Sequence, residues 1–278
     1  TCALTILIVF YYIPIVLGLG LSFFEYIPGV RLVFAGWDNF VSVVLNTQFW
    51  NASATMLIFL IADLLKAVIP PLFVAEAIIA VKFKRFSLVV RILLFLPGIL
   101  PGVATTLVWS DGIFGSTSNS LINAFVGLFV PGFAKNWIYS ASNATAIGSL
   151  IAFGFPWVGS YLIFYGAVSG IDKSLFEAAK LDGCGWWRRM ASLDVPLIFP
   201  QIKYIVITAF IASVQNYTSI YVLYGVNGQI KTTALLVYRE IINANYGVAS
   251  VMGLFIFAFL SVCTALNFKI QMKQGEEA

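Results

Sequence analysis

The sequence predicts an all-α polytopic membrane protein: six transmembrane helices, with a short capped helix between spans four and five. Three observations predict it. First, 60% of the 278 residues are hydrophobic, only 10% are charged, and mean hydropathy is +0.95. A soluble domain is about a quarter charged, so this surface faces lipid. Second, the apolar runs reach the roughly 20 residues that a bilayer crossing needs. Third, Lys and Arg gather in alternate loops, as they do in multi-pass proteins with a fixed orientation. Length alone allows one or two soluble domains. No soluble stretch interrupts the runs, so residues 1–278 read as a single transmembrane domain.

Span one is expected over residues 2–24, with Pro14 inside it. A membrane helix tolerates proline where neighbours satisfy the freed carbonyl. The stretch has no small-residue cleavage pattern before Glu25, so it reads as a span and not a signal peptide. Thr1 is not an initiator, and residues are expected to precede it. A polar connection with Pro28-Gly29 leads to span two, over 52–81. Span three covers 87–109. A long Gly-, Ser- and Asn-rich loop follows, with an amphipathic piece near 121–129 suited to the interface. Span four covers 144–168, span five 201–224 and span six 246–268.

Orientation follows from the basic residues. One set of loops holds Lys82, Lys84, Arg85, Arg91, Lys173, Lys180, Arg188, Arg189, Lys203, Lys269 and Lys273. The other holds Arg31, Lys135, Lys231 and Arg239, while Lys66 lies within a span. Both termini and the loop around Glu177 are therefore expected on the cytoplasmic side. The net charge of +4 is spread along these loops, which does not suggest nucleic acid. With no His, imidazole bases and ligands are excluded. Cys2, Cys184 and Cys263 have no metal spacing and are expected as free thiols.

The loop between spans four and five is a charged island in an apolar chain. Ser174 and Glu177 have capping-box spacing, in which a hydroxyl and a carboxylate each satisfy an N–H at a helix start. Leu175, Ala178, Ala179 and Leu181 or Asp182 then recur at helical spacing, and Gly183 suits the left-handed stop. Trp186, Trp187, Arg188 and Arg189 read as a second short helix at the interface, with arginines toward phosphate.

Glu177-Ala178-Ala179, Asp182-Gly183 and Val195-Pro196-Leu197-Ile198 with Pro200 resemble the "EAA" loop of ATP-binding-cassette (ABC) importer permeases. Trp37-Asp38-Asn39-Phe40, Leu96-Pro97 with Pro101, Gly154-Phe155-Pro156-Trp157 and Tyr246-Gly247-Val248-Ala249-Ser250 extend the resemblance to carbohydrate-uptake permeases of the maltose-transporter type. The chain is similar to the first of the two permease subunits in such systems. The resemblance implies that 172–200 is a cytoplasmic coupling loop in a bacterial inner membrane. Leu175, Glu177, Ala178, Ala179, Leu181, Asp182 and Gly183 would then meet a cytoplasmic ATPase dimer, in the helix-in-groove mode. It also implies a second homologous permease, an extracellular solute-binding protein and a sugar. No cofactor is expected in this chain. It lacks a Walker-type phosphate loop, so ATP and Mg belong to the partner ATPase and the chain itself is not an enzyme.

The expected sugar path runs through Phe153, Gly154 and Trp157, and through Ser213, Gln215, Asn216, Tyr217 and Tyr221. Discontinuous helices and mid-span polar groups commonly mark such paths. Phe153 and Trp157 are four apart and are expected on one helical face. Pro97 and Pro101 read as packing kinks. The simpler reading of the span-five polar residues is interhelical hydrogen bonding. The resemblance breaks at Gly225-Val226-Asn227-Gly228-Gln229, where the family usually has a Gly-Gly-Pro turn. Asp63 and Lys66, three apart in span two, are expected to neutralise each other. Glu76 is expected to pair with a basic loop residue. The rival readings are a permease for a glycerophosphate-like or other polar solute, which wants cavity cations, and an ion-coupled secondary transporter, which wants internal repeats. A membrane enzyme is disfavoured by the missing His and sparse carboxylates.

Overall fold

A computed structural model describes residues 2–81 and 83–276, and side chains for 3–81 and 83–265. Thr1 and Lys82 lie outside the described residues, as do the side chains of Cys2, Lys269 and Lys273. In chain order the elements are α1 (Ala3–Leu21), β1 (Phe24–Ile27), β2 (Arg31–Phe34), α2 (Asp38–Val44), α3 (Thr47–Ala80), α4 (Lys84–Ile99) and α5 (Gly102–Ile113). Then come α6 (Leu121–Gly127), α7 (Asn143–Ala152), α8 (Tyr161–Ser169), α9 (Lys173–Leu181) and α10 (186–197, with a π turn over Met190–Asp194). The chain closes with α11 (Phe199–Gln215), α12 (Thr218–Tyr224), α13 (Thr233–Ile242) and α14 (Tyr246–Glu276).

The structure is mostly helical, but three expectations need correction. It is not all-α: β1 and β2 pair antiparallel, Phe24 opposite Phe34 and Ile27 opposite Arg31. Pro28-Gly29 turns that hairpin, and aromatic and β-branched residues flank it, a composition suited to short strands. Second, six continuous spans are not seen. Among the described residues, four stretches are long and apolar enough to cross a membrane (α1, α3, α11 with α12, and α14), and α4 with α5 makes a fifth only if a 97° bend is counted within one span. That bend falls at Leu100-Pro101, where proline cannot donate and disfavours helix before it. Third, the fourth apolar run is two short helices, α7 and α8, with non-helical backbone over 153–160. Its peptide bond between Phe155 and Pro156 is cis.

Two compact units form, one from the N-terminal part up to Ile58 with the C-terminal part from Val214, the other from Phe59 to Ser213. In the first, Val43, Phe49, Ala52, Leu236, Val251 and Met252 make the core, with Phe40 and Phe255 against it. Asn39 donates from Nδ2 to the carbonyls of Ser22 (2.9 Å) and Phe24 (3.0 Å), tying α2 to the end of α1. Gly247 allows that approach, since a Cβ there would stand 2.1 Å from the Phe24 oxygen.

In the second unit, α3 continues through Pro70 and Pro71 as one helix. Its Leu72 and Ala75 pack with Phe164, Val168, Ile198 and Ile205. The Tyr161 hydroxyl donates to the Arg91 carbonyl, and Ser160 Oγ donates to the Ala67 carbonyl at 2.6 Å. The long loop after α5 is knotted by Asn123. Its Nδ2 reaches the carbonyls of Gly115, Thr117 and Lys135, each at 3.0 Å. Its Oδ1 accepts from Trp137 Nε1 at 2.8 Å and from the Lys135 N–H at 3.3 Å. The amphipathic piece expected near 121–129 is α6, which carries this residue.

Asn123→Asp places a carboxylate against three carbonyl oxygens and removes their donor. A buried group left unsatisfied costs about 1–3 kcal/mol, more when charged. The expected result is a thermal midpoint several degrees lower in detergent. An unchanged midpoint would show that the loop is held by other contacts.

Candidate functional site

Two places bring the sequence-predicted residues together. The first is α9. Its cap is not the Ser174–Glu177 box: the N-cap is Asp172, whose Oδ1 accepts from the Ser174 N–H at 2.9 Å. An aspartate two residues ahead offers the same first-turn satisfaction with a shorter side chain. That bond holds the Asp172 carboxyl below its ordinary value of 3.8. A depressed folded pKa means that the cap's contribution is present above that ordinary value and is lost as pH falls through the lower, folded one. At the other end Gly183 has φ +68°, and the Cys184 N–H bonds back to the Ala179 carbonyl at 2.9 Å, closing the expected left-handed stop.

The two faces of α9 differ. Phe176 and Ala179 are half-buried, and Phe176 packs against the second unit's core. Leu175, Glu177, Ala178, Leu181, Asp182 and Gly183 are exposed, Leu181 at 89%. A leucine presented this openly beside a small alanine makes a strip into which another backbone can settle.

Beyond α9, the Trp186–Arg189 turn forms as expected, but Arg189 is not directed to phosphate. It turns inward, with Nη2 2.7 Å from Glu76 Oε2 and Nε 2.9 Å from Asp194 Oδ2. Glu76 thus finds a basic loop partner. Sequence reasoning missed which one, although a carboxylate in an apolar helix signals that a cation must come from elsewhere.

The second place is a cleft of about 470 Å³ in the second unit, lined by Asp63, Lys66, Trp157, Ser160 and Thr208 among others. Asp63 and Lys66 pair at 2.7 Å. Ser213 Oγ donates to Asp63 Oδ2 at 2.8 Å, and Lys66 Nζ donates to the Ile151 carbonyl at 3.3 Å. Trp157 lines the cleft, with Nε1 donating to the Phe153 carbonyl at 2.9 Å. Phe153 and Trp157 do not share a helical face, because both lie in the non-helical 153–160 segment. Phe153 stacks instead on Phe114 and Trp109, at 5.7 and 5.8 Å. Gly154 is exposed with φ +79°. Ser160 and Thr208 were not anticipated; lone hydroxyls in apolar runs give little signal.

The remaining predicted residues belong to the first unit. Gln215 and Asn216 are exposed where α11 ends before α12. Tyr217 stacks on Tyr238 at 4.8 Å and Tyr221 meets the same ring edge-on at 5.1 Å. Desolvation, followed by the neighbouring Tyr221, raises the Tyr238 hydroxyl above its ordinary 10.0.

The fold, with its kinked apolar helices and a short capped helix, is shared with chains of solved bacterial ABC transporters. A bacterial ABC transporter involved in import of the acidic polysaccharide alginate superposes with a TM-score of 0.82 at 20% identity, over 98% of this chain and 93% of that one. The alginate transporter in complex with its alginate-pentasaccharide-bound periplasmic protein gives 0.76 at 22%, over 95% and 89%.

Within that class the chain resembles carbohydrate-uptake permeases. It is 29% identical over 220 residues to the lactose transport system permease protein LacF of Rhizobium radiobacter, covering 79% of this chain and 72% of that protein. It is 26% identical over 275 residues to the multiple sugar-binding transport system permease protein MsmF of Streptococcus mutans, over 96% and 91%. The arabinooligosaccharides permease AraP of Bacillus subtilis matches at 25% over 274 residues, 95% of this chain and 84% of that one. These relatives are transport components and not enzymes. No protein-family model matches the chain.

Because Asp63 and Lys66 share one cleft wall, neutralising either strands the other. In a double-mutant cycle of Asp63→Asn and Lys66→Met, detergent stability should show coupling of about 1–2 kcal/mol. Coupling near zero would mean that cleft water already solvates both charges.

Proposed function

We propose that this chain is the permease subunit of an ABC importer that admits a carbohydrate, in the size range of an oligosaccharide. The observation that carries the reading is the outward strip of α9: Leu175, Ala178 and the 89%-exposed Leu181, on a helix capped at both ends. Such a strip suits the groove of a partner ATPase. Glu177 and Asp182 flank it and offer carboxylates to basic groups there. ATP and Mg act on that partner. A second, similar permease completes the pore, and a solute-binding protein delivers the sugar from outside.

The chain's basic residues set its orientation in the inner membrane, with both termini and α9 cytoplasmic. Trp157 offers an aromatic face to a sugar ring, and Ser213, Asp63 and Ser160 offer hydrogen bonds. Gly154, in the same non-helical segment as Trp157, leaves backbone open. Phe153 supports the Trp157 turn. On the first unit, Gln215, Asn216, Tyr217 and Tyr221 are the further residues proposed to meet the sugar. In the cleft, Lys66 is already neutralised by Asp63. That favours an uncharged polyol over a phosphate-bearing solute, which wants a free cation.

The test is assembly. Leu181→Glu puts a charge on the docking strip without touching the core. Purified through a tag from native membranes, the wild-type chain should bring an ATPase with it, and the variant at least tenfold less, with insertion unchanged. A chain that purifies alone and moves solute in liposomes on an ion gradient without ATP would overturn the reading.

A further inference from the structure

Arg189, on α10, joins its own helix to two others. Its guanidinium carbon lies 5.0 Å from the centre of the Phe176 ring, on α9. Nη2 is 2.7 Å from Glu76 Oε2, on α3. Nε is 2.9 Å from Asp194 Oδ2, in the run that leads into α11. Both carboxylates are wholly buried, while Arg189 keeps 20% exposure. The cluster is poorly built for stability alone. Glu76 Oε1 and Asp194 Oδ1 have no hydrogen-bond partner, and one cation faces two carboxylates. A packed apolar trio is commonly as stable or more so than a buried ionic one. What the ionic version supplies is direction: short charge-assisted bonds fix register where apolar contacts allow sliding.

Resting on the importer reading above, we propose that Arg189 is the positioning residue that carries movement of α9 into the membrane helices. The route is Phe176 to Arg189, then Glu76 on α3, with Asp194 of α10, just ahead of α11, holding the guanidinium in place. Helix α3 is a single element from Thr47 to Ala80. Asp63, on the cleft, lies about 20 Å from Glu76 along that helix at 1.5 Å rise per residue. Phe176 also packs on the apolar core, but Arg189 is the side chain that ties displacement of α9 to α3 by directional bonds.

The test uses the importer purified from native membranes through this chain, free of its own cysteines (Cys2, Cys184 and Cys263 to Ser), with Thr208→Cys in the cleft. The probe is the maleimide modification rate of that cysteine, with and without ATP and vanadate, beside ATP hydrolysis. In the Arg189-intact protein the rate should change at least fivefold on trapping. Arg189→Met should keep ATP hydrolysis within twofold and lose that change. The apolar trio Glu76→Leu, Arg189→Met, Asp194→Leu should do the same with an undiminished thermal midpoint, which separates coupling from folding. Phe176→Leu keeps all three charges and should reduce the change at least threefold. A full change in Phe176→Leu, or in either Arg189 variant, would overturn the proposal. No associated ATPase in the Arg189-intact protein would instead overturn the importer reading beneath it.

Discussion

A guanidinium held between two buried carboxylates sets the register in which the second unit's helices meet. Without it the loop after α8 would meet α3 through apolar contacts alone. With it, a segment more than a hundred residues away in sequence is fixed against the longest helix of the chain. The apolar contacts around it, Leu72, Ala75, Phe164, Val168 and Ile198, are abundant but not directional. The ion contacts specify where those surfaces meet. The same division of labour recurs in the loop after α5, where one asparagine amide ties Gly115, Thr117 and Lys135 together while the rings of Phe114, Trp137 and Phe153 supply bulk.

Much of this architecture was legible in the sequence, and the failures have physical causes. Hydropathy reads composition and not continuity. Gly154-Phe155-Pro156-Trp157 is as apolar as the helices on either side, so a window across it reports one span where α7 and α8 are two. Pro97 and Pro101 signalled a kink before Gly102, but proline alone does not say that it reaches 97°. Strands of four residues, as in the hairpin after α1, have too little alternation to stand out from an apolar background. The start of α9 was misplaced because Asp172 and Ser174 are both good caps two residues apart, and local pattern does not choose between them. Gly183 was placed correctly because few residues other than glycine adopt its backbone angle readily.

The site shows a second kind of limit. Asp63 and Lys66 were visible as a pair because their spacing on one helix is enough to predict contact. Ser213 joining them was not, since it comes from 150 residues away. Arg189 was read as facing lipid phosphate because its neighbours, two tryptophans and another arginine, have the composition of an interfacial belt. One residue of that group turns inward, and composition averaged over four residues does not reveal which. Charges buried in apolar chains are better read as demands for a distant partner than as members of their local segment.

The bareness of Leu181 has a consequence for how much of this chain a cell tolerates. Exposed apolar side chains, such as Leu181 at 89%, are features that chaperones and quality-control proteases seize on. Within a full assembly of the kind proposed Leu181 is covered. On that proposal, a surplus copy would carry it uncovered and so advertise itself for removal. Subunit balance would then need no separate sensor, because the exposed leucine itself reports whether assembly has taken place.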